Sequence, residues 1–161
     1  MELQFAFGSN MHPDRLREKQ LECIEKILAT ARRARLYDWK FGFTKKAGDG
    51  SGKANIIQSD GDIVWGLLIE LTPKNVRKMD DSEGVPRHYV RTEDTTYHPL
   101  RVITDDEEAH ECIAYIADTK KVELNGIPPT TQYLDYIVEG AIAHDIPSDY
   151  IDRIRNTPTF D

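Results

Sequence analysis

Leu3, Phe5 and Phe7 alternate with Glu2, Gln4 and Ala6, a period of two that predicts a strand with one buried face. That strand ends at Gly8, because Gly8-Ser9-Asn10 favours turns and caps over extended backbone. Pro13 suits the first position of a helix, and Leu16, Leu21, Ile24 and Leu28 supply a stripe at roughly helical spacing through Ala29. "RARLYDWKFGF" predicts one or two strands, and "AGDGSGKAN" the hairpin connection after them. "ANIIQS" and "DIVWGLLIEL" flank the turn signal Asp60-Gly61 and predict a hairpin whose second, almost continuously apolar strand is central.

Thr72-Pro73 is an N-cap followed by an N1 proline, so a helix opens there, runs to about Ser82 and stops at Gly84. A strand region lies between Tyr89 and Asp118, strongest at "ECIAYIA" and bent at "DDEE". Leu134, Ile137, Val138, Ala141 and Ile142 form a clean helical stripe, and Pro147 starts a last amphipathic turn or two ending near Asn156. No internal repeat interrupts the pattern. Strands early and in the middle, with helices interspersed and then terminal, predict an α+β fold: a small, mixed, barrel-like β-sheet flanked by helices.

Composition narrows the picture. A chain of 161 residues suits one domain, taken as residues 1–161. A net charge of −7 argues against a nucleic-acid partner, since the one basic cluster free of interleaved acids, Arg32, Arg33 and Arg35, is the size of a solvated strand edge. No apolar run is long enough to span a bilayer, so no membrane association is expected. Cys23 and Cys112 lack metal or redox spacing and read as small core residues in a reducing, cytoplasmic setting.

Candidate chemistry begins at Glu83. On a helical wheel it shares a face with Val76 and Met79, which aims its carboxylate inward. Partial desolvation, the negative end of the helix dipole and the like charge of Asp80 would each favour the protonated form, and such a group can serve as a base near neutral pH. Periodicity alone leaves a plainer arrangement open, and favours it: a carboxylate turned outward at a frayed helix end or paired with Arg87. The Gly8-Ser9 turn likewise offers either unpaired N–H groups that can hold a developing oxyanion, or an ordinary strand exit capped by Ser9 or Asn10.

Other chemistries lack their patterns. His12, His88, His98, His110 and His144 show no metal-ligand spacing, so no metal and no cofactor is expected. Ser9 lacks the G-x-S-x-G elbow, and Gly52-Lys53 lacks the rest of a P-loop. Trp39 and Trp65 read as core; Tyr89 and Tyr115 either line a pocket or pack in the core, and core is the plainer reading.

"FAFGSNM", "ARL" with a following aromatic and "GF", "GDIVWG", "DDSEGV" and "PPTTQY" together resemble the ordered landmarks of the γ-glutamylcyclotransferase family over about Phe5 to Tyr133. The resemblance implies that Glu83, in the family's "DxxEG" motif, is the catalytic acid/base and that the loop of Phe5, Ala6, Phe7, Gly8, Ser9 and Asn10 holds the substrate. It implies substrate contact by Tyr133 as well; packing of that ring on Ile137 is the alternative. The implied reaction closes a γ-glutamyl amino acid or amine to pyroglutamate and releases the amino acid or amine, with a small γ-glutamyl molecule as sole partner. The resemblance also admits a homodimer, a non-catalytic binding protein of the same fold, and cleavage of a γ-glutamyl group from a carrier or natural product. Two residues depart from the pattern: Phe7 stands where the family has tyrosine, and Gln4 where the animal enzymes have an aromatic. Thr92 to Asp118 differs most and carries no residue over.

Overall fold

The structure, a computed structural model, describes residues 1–161 apart from the side chain of Thr119. Its elements in chain order are β1 (Glu2–Ala6), α1 (Pro13–Glu18), α2 (Ile24–Thr30), β2 (Arg32–Lys46), β3 (Gly52–Leu71), α3 (Pro73–Glu83), β4 (Tyr89–Arg91), β5 (Leu100–Thr104), β6 (Ala109–Cys112), β7 (Tyr115–Ala117), α4 (Thr131–Ala143) and α5 (Ser148–Arg155). A short 3₁₀ turn, Ser9–Met11, follows β1. No helix among the described residues is long and apolar enough to cross a membrane.

Five strands form one antiparallel ladder in the order β1-β3-β2-β5-β6. Its two ends nearly meet: the Phe5 N–H donates to the Ile113 carbonyl at 2.8 Å and the Ile113 N–H to the Leu3 carbonyl at 2.9 Å, a parallel bridge through Gln4. The α+β fold is thus built on a nearly closed, barrel-like sheet, antiparallel in its ladder and parallel at its seam. Phe5, Val64, Leu68, Ile69 and Leu71 are buried to within 1% exposure. They join the inner faces of α1 to α5 in one apolar core. A separate two-stranded ribbon, β4 with β7, sets Arg91 opposite Tyr115.

The long β2–β3 pair differs from the sequence expectation. The Asp60-Gly61 turn does not reverse the chain, and β3 is a single strand of 20 residues. Tyr37 pairs with Ile63, but Trp39 already pairs with Gln58, so residues 59–62 bulge out opposite Asp38. Asp38 itself has φ 66. Its carboxylate accepts the Gly61 N–H at 2.9 Å, so one bulge holds the other. The connection from β2 is correspondingly shorter than "AGDGSGKAN", because Gly52 to Asn55 are already strand.

Four smaller expectations also fail. The stripe from Pro13 to Ala29 is two helices, broken where Gln20 and Cys23 take φ 60 and 57. Cys23 caps α2 and is exposed, while Cys112 is buried. Arg32, Arg33 and Arg35 lie on β2 between β3 and β5, not on an edge. Arg33 and Arg35 meet Asp105 at 3.2 Å and Glu107 at 2.6 Å. The two guanidinium groups also cover the half-buried Trp65 ring, at 5.5 and 5.8 Å from its centroid, whereas Trp39 is core.

Candidate active site

Glu83 is the last residue of α3, and local chemistry explains its placement. Thr72 accepts the Asn75 N–H at 3.2 Å and Pro73 fills the first helical position. Val76, Met79 and Glu83 then follow on the inward face, Met79 fully buried and the Glu83 side chain 13% exposed. The helix stops at once because Gly84 has φ 65, and a Cβ there would stand 2.5 Å from His88 Cδ2.

The turn after β1 faces this carboxylate. Asn10 Nδ2 donates to Glu83 Oε1 at 3.0 Å. Lys19 Nζ, at the end of α1, meets the same oxygen at 2.7 Å and is itself 9% exposed. The sequence reading counted burial, the helix dipole and Asp80 as influences in one direction; Lys19 is an opposing charge it missed. Asp80 is turned to other partners, accepting from the Tyr115 hydroxyl at 2.7 Å and lying 3.5 Å from Arg91 Nε. Glu83 neither points outward nor pairs with Arg87.

On the other flank of the turn, Tyr133 and Tyr89 hold both backbone polar groups of Ala54 in β3. The Tyr133 hydroxyl accepts the Ala54 N–H at 3.0 Å and the Tyr89 hydroxyl donates to the Ala54 carbonyl at 2.9 Å. Burial pushes the Tyr133 phenol up to about 12, so it keeps its proton at neutral pH and can donate it. Gly8 lies close above: a Cβ on it would be 3.0 Å from Ala54 Cβ and 3.9 Å from the Tyr133 oxygen. The N–H groups of Gly8, Ser9 and Asn10 donate to no carbonyl among the described residues, as expected where a 3₁₀ turn begins.

These groups enclose a cavity of about 160 Å³, lined by Phe5, Ala6, Phe7, Gly8, Ser9, Asn10, Glu83 and Tyr133 alike. Tyr133 does more than pack on Ile137, and Tyr89 and Tyr115 line the cavity as well as the core. Sequence reasoning missed Arg15, Lys19 and Lys53, which give the wall three cations against the one carboxylate of Glu83. A shared face of α1 for Arg15 and Lys19 is legible from their spacing of four; what that face meets is not. Gln4 is 2% exposed, and its Oε1, like Asn10 Oδ1, is a buried acceptor without a partner among the described residues.

Two other places stand apart. A larger groove of about 470 Å³ runs between Phe41, Phe43, Ile127 and the α5 residues Tyr150 and Ile154, and it includes none of the residues singled out above. Asp106, Glu108 and His110 converge at the β5–β6 turn with ligand atoms within 4.8 Å, a grouping that histidine spacing did not reveal. Thr104 occupies two of them, donating to Asp106 at 2.5 Å and lying 3.1 Å from His110 Nε2.

Comparison with known proteins follows the same lines. The model of the AIG2-like family matches residues 63–154. The γ-glutamylcyclotransferase of Homo sapiens is 30% identical over 159 residues, covering 95% of this chain and 77% of its own length. That of Bos taurus is 28% identical over 161 residues, covering 96% and 77%. A solved structure of a γ-glutamyl cyclotransferase superposes with a TM-score of 0.79 at 27% identity, covering 99% of this chain and 89% of the other. YkqA from Bacillus subtilis shares the fold, with a TM-score of 0.77 at 20% identity. On the matched length and the shared fold together, the chain belongs to the AIG2-like family of γ-glutamylcyclotransferases.

Proposed function

We propose that the protein cyclises a γ-glutamyl amino acid or amine to pyroglutamate, with Glu83 as general acid and base. One observation carries the reading. Glu83 and the turn residues Gly8, Ser9 and Asn10, whose N–H groups have no carbonyl partner among the described residues, line one cavity, and Asn10 Nδ2 joins the turn to the carboxylate at 3.0 Å.

The substrate enters with an α-ammonium and an α-carboxylate on the same carbon. Its carboxylate draws on the Lys19 ammonium, which leaves Glu83 free to accept a proton from the α-ammonium. The freed amine attacks the γ-carbonyl carbon and forms the ring C–N bond, while the oxygen takes up negative charge beside the turn N–H groups and the Tyr133 hydroxyl. As the old C–N bond breaks, Glu83 gives its proton to the departing nitrogen, and the second hydrogen of the ring nitrogen is then passed through Glu83 to the released amine, which leaves as an ammonium while the ring keeps one N–H. Protons balance over the cycle, and neither water nor an external nucleophile is consumed. The tether between nucleophile and electrophile makes the step intramolecular, so the protein must curl the chain and shuttle protons from the α-nitrogen to the leaving nitrogen.

A non-catalytic binding protein is the second reading, favoured by the engagement of Glu83 with Lys19 at 2.7 Å. Mass spectrometry after incubation with γ-glutamyl amino acids and amines separates the two. Release of pyroglutamate supports the enzyme; thermal stabilisation by the same compounds with no product supports the binder and overturns the proposal.

A further inference from the structure

The chain carries a net charge of −7, yet its cavity wall holds three cations and one carboxylate. Two of the cations are engaged. Arg15 meets Glu18 at 2.6 Å and reaches Ser9 Oγ at 3.3 Å, and Lys19 meets Glu83 at 2.7 Å. Lys53 is different. Its Nζ lies 4.0 Å from the centroid of the Tyr133 ring and makes no ion pair or side-chain hydrogen bond among the described residues. The carboxylate of Asp49 is turned to the Ser51 N–H and hydroxyl, at 2.9 and 2.6 Å. Burial, and then the positive charge of Arg15, push the Lys53 ammonium down from its ordinary range, and Asp49, beyond ion-pair distance, only partly opposes them.

We propose that Lys53 is a specificity-determining residue that grips a carboxylate on the leaving amine, so that the cavity selects γ-glutamyl conjugates of amino acids over those of uncharged amines. The inference rests on the cyclotransferase reading, and the order of groups along the cavity assigns the carboxylate to this end. The glutamyl α-carbon bears both the ammonium that must reach Glu83 and its own carboxylate, which therefore falls at the Lys19 end. The γ-carbonyl lies at the turn of Gly8 to Asn10. Past it comes the leaving amine, and the flank there is Ala54, 3.0 Å from a Cβ placed on Gly8. Lys53 precedes Ala54 directly. Both backbone polar groups of Ala54 are held, the N–H it shares in a peptide with Lys53 by Tyr133 and the carbonyl by Tyr89, so the lysine stem starts from a fixed backbone.

The test compares γ-glutamyl-alanine with γ-glutamyl-alaninamide, which differ in one charge at nearly constant size. Wild type should favour the carboxylate in kcat/KM by roughly ten- to a hundredfold, the span of a hydrogen bond to a charged group. Lys53→Met, which keeps an apolar stem over Tyr133, should bring the ratio near one, and Lys53→Arg should retain it. A ratio unchanged in Lys53→Met overturns the inference, and so does an equal loss on both substrates, which would place Lys53 at the glutamyl end. The same pair is titrated calorimetrically into Glu83→Gln with and without Lys53→Met. No turnover by wild type together with a Lys53-dependent ratio of dissociation constants supports this inference while overturning the catalytic reading; neither turnover nor binding overturns both.

Discussion

Tyr133→Phe isolates one oxygen whose structural role is explicit. That oxygen accepts the Ala54 N–H at 3.0 Å, and Ala54 is 4% exposed, so water cannot readily replace it. Leaving a buried N–H unpaired costs about 1–3 kcal/mol. For a chain of this length that lowers Tm by roughly 2–12 °C, at about 2–4 °C per kcal/mol. Scanning calorimetry reads the change directly, and Tyr89→Phe supplies a control, since Tyr89 holds the carbonyl of the same residue at 2.9 Å. The double variant should lose less than the two single losses combined, because once one anchor is gone the strand relaxes around the other. Turnover adds a second readout: loss of the proposed oxyanion donor should lower kcat/KM roughly ten- to a hundredfold, mostly in kcat. A Tyr133→Phe protein with wild-type Tm would refute the claim that this hydroxyl pins β3 beneath the turn.

Three further outcomes are expected. Lys19→Met strands the mostly buried Glu83 charge and should cost about 3–5 kcal/mol in denaturant melts, with Lys19→Met/Glu83→Gln recovering most of it; no recovery would contradict the pairing. Gly84→Ala forces a side chain into φ 65 and against His88, so Tm and kcat should fall together, whereas intact activity would show that the end of α3 does not fix Glu83. Burial pushes the Tyr133 phenol up to about 12 from its ordinary 10.0, so the folded state binds the proton more tightly. Its stabilising effect is complete below pH 10.0 and is lost as pH rises towards 12; alkaline melts of Tyr133→Phe should show a shallower fall over that window than wild type.

What the sequence disclosed depended on range. Thr72-Pro73 and Gly84 bound α3 by interactions within a few residues, so its limits and the inward face of Glu83 were legible. The stripe from Leu134 to Ile142 located α4 for the same reason, although its last member, Ile142, is exposed and not on the buried face. Asp60-Gly61 misled because the same residues suit a hairpin and a bulge. The choice is made by Asp38, more than twenty positions away, whose carboxylate takes the Gly61 N–H. The helix break at Gln20 and Cys23 was hidden because neither residue is a usual αL former. At the site, the turn and Glu83 were found through motif order, but Lys19 was not: its partner is 64 positions away and no local period encodes that meeting. Lys53 was read only as part of a glycine-rich connection. Its cavity position follows from β3 beginning at Gly52 and from two tyrosines in distant elements.

The most direct test of the account is the rate of pyroglutamate release from γ-glutamyl-alanine by wild type and by Glu83→Gln, with circular dichroism and Tm showing both to be folded. The account predicts release by wild type and a fall of roughly 10²–10⁴-fold in the variant, the contribution of a positioned acid/base. A folded Glu83→Gln protein that forms pyroglutamate at the wild-type rate would contradict it.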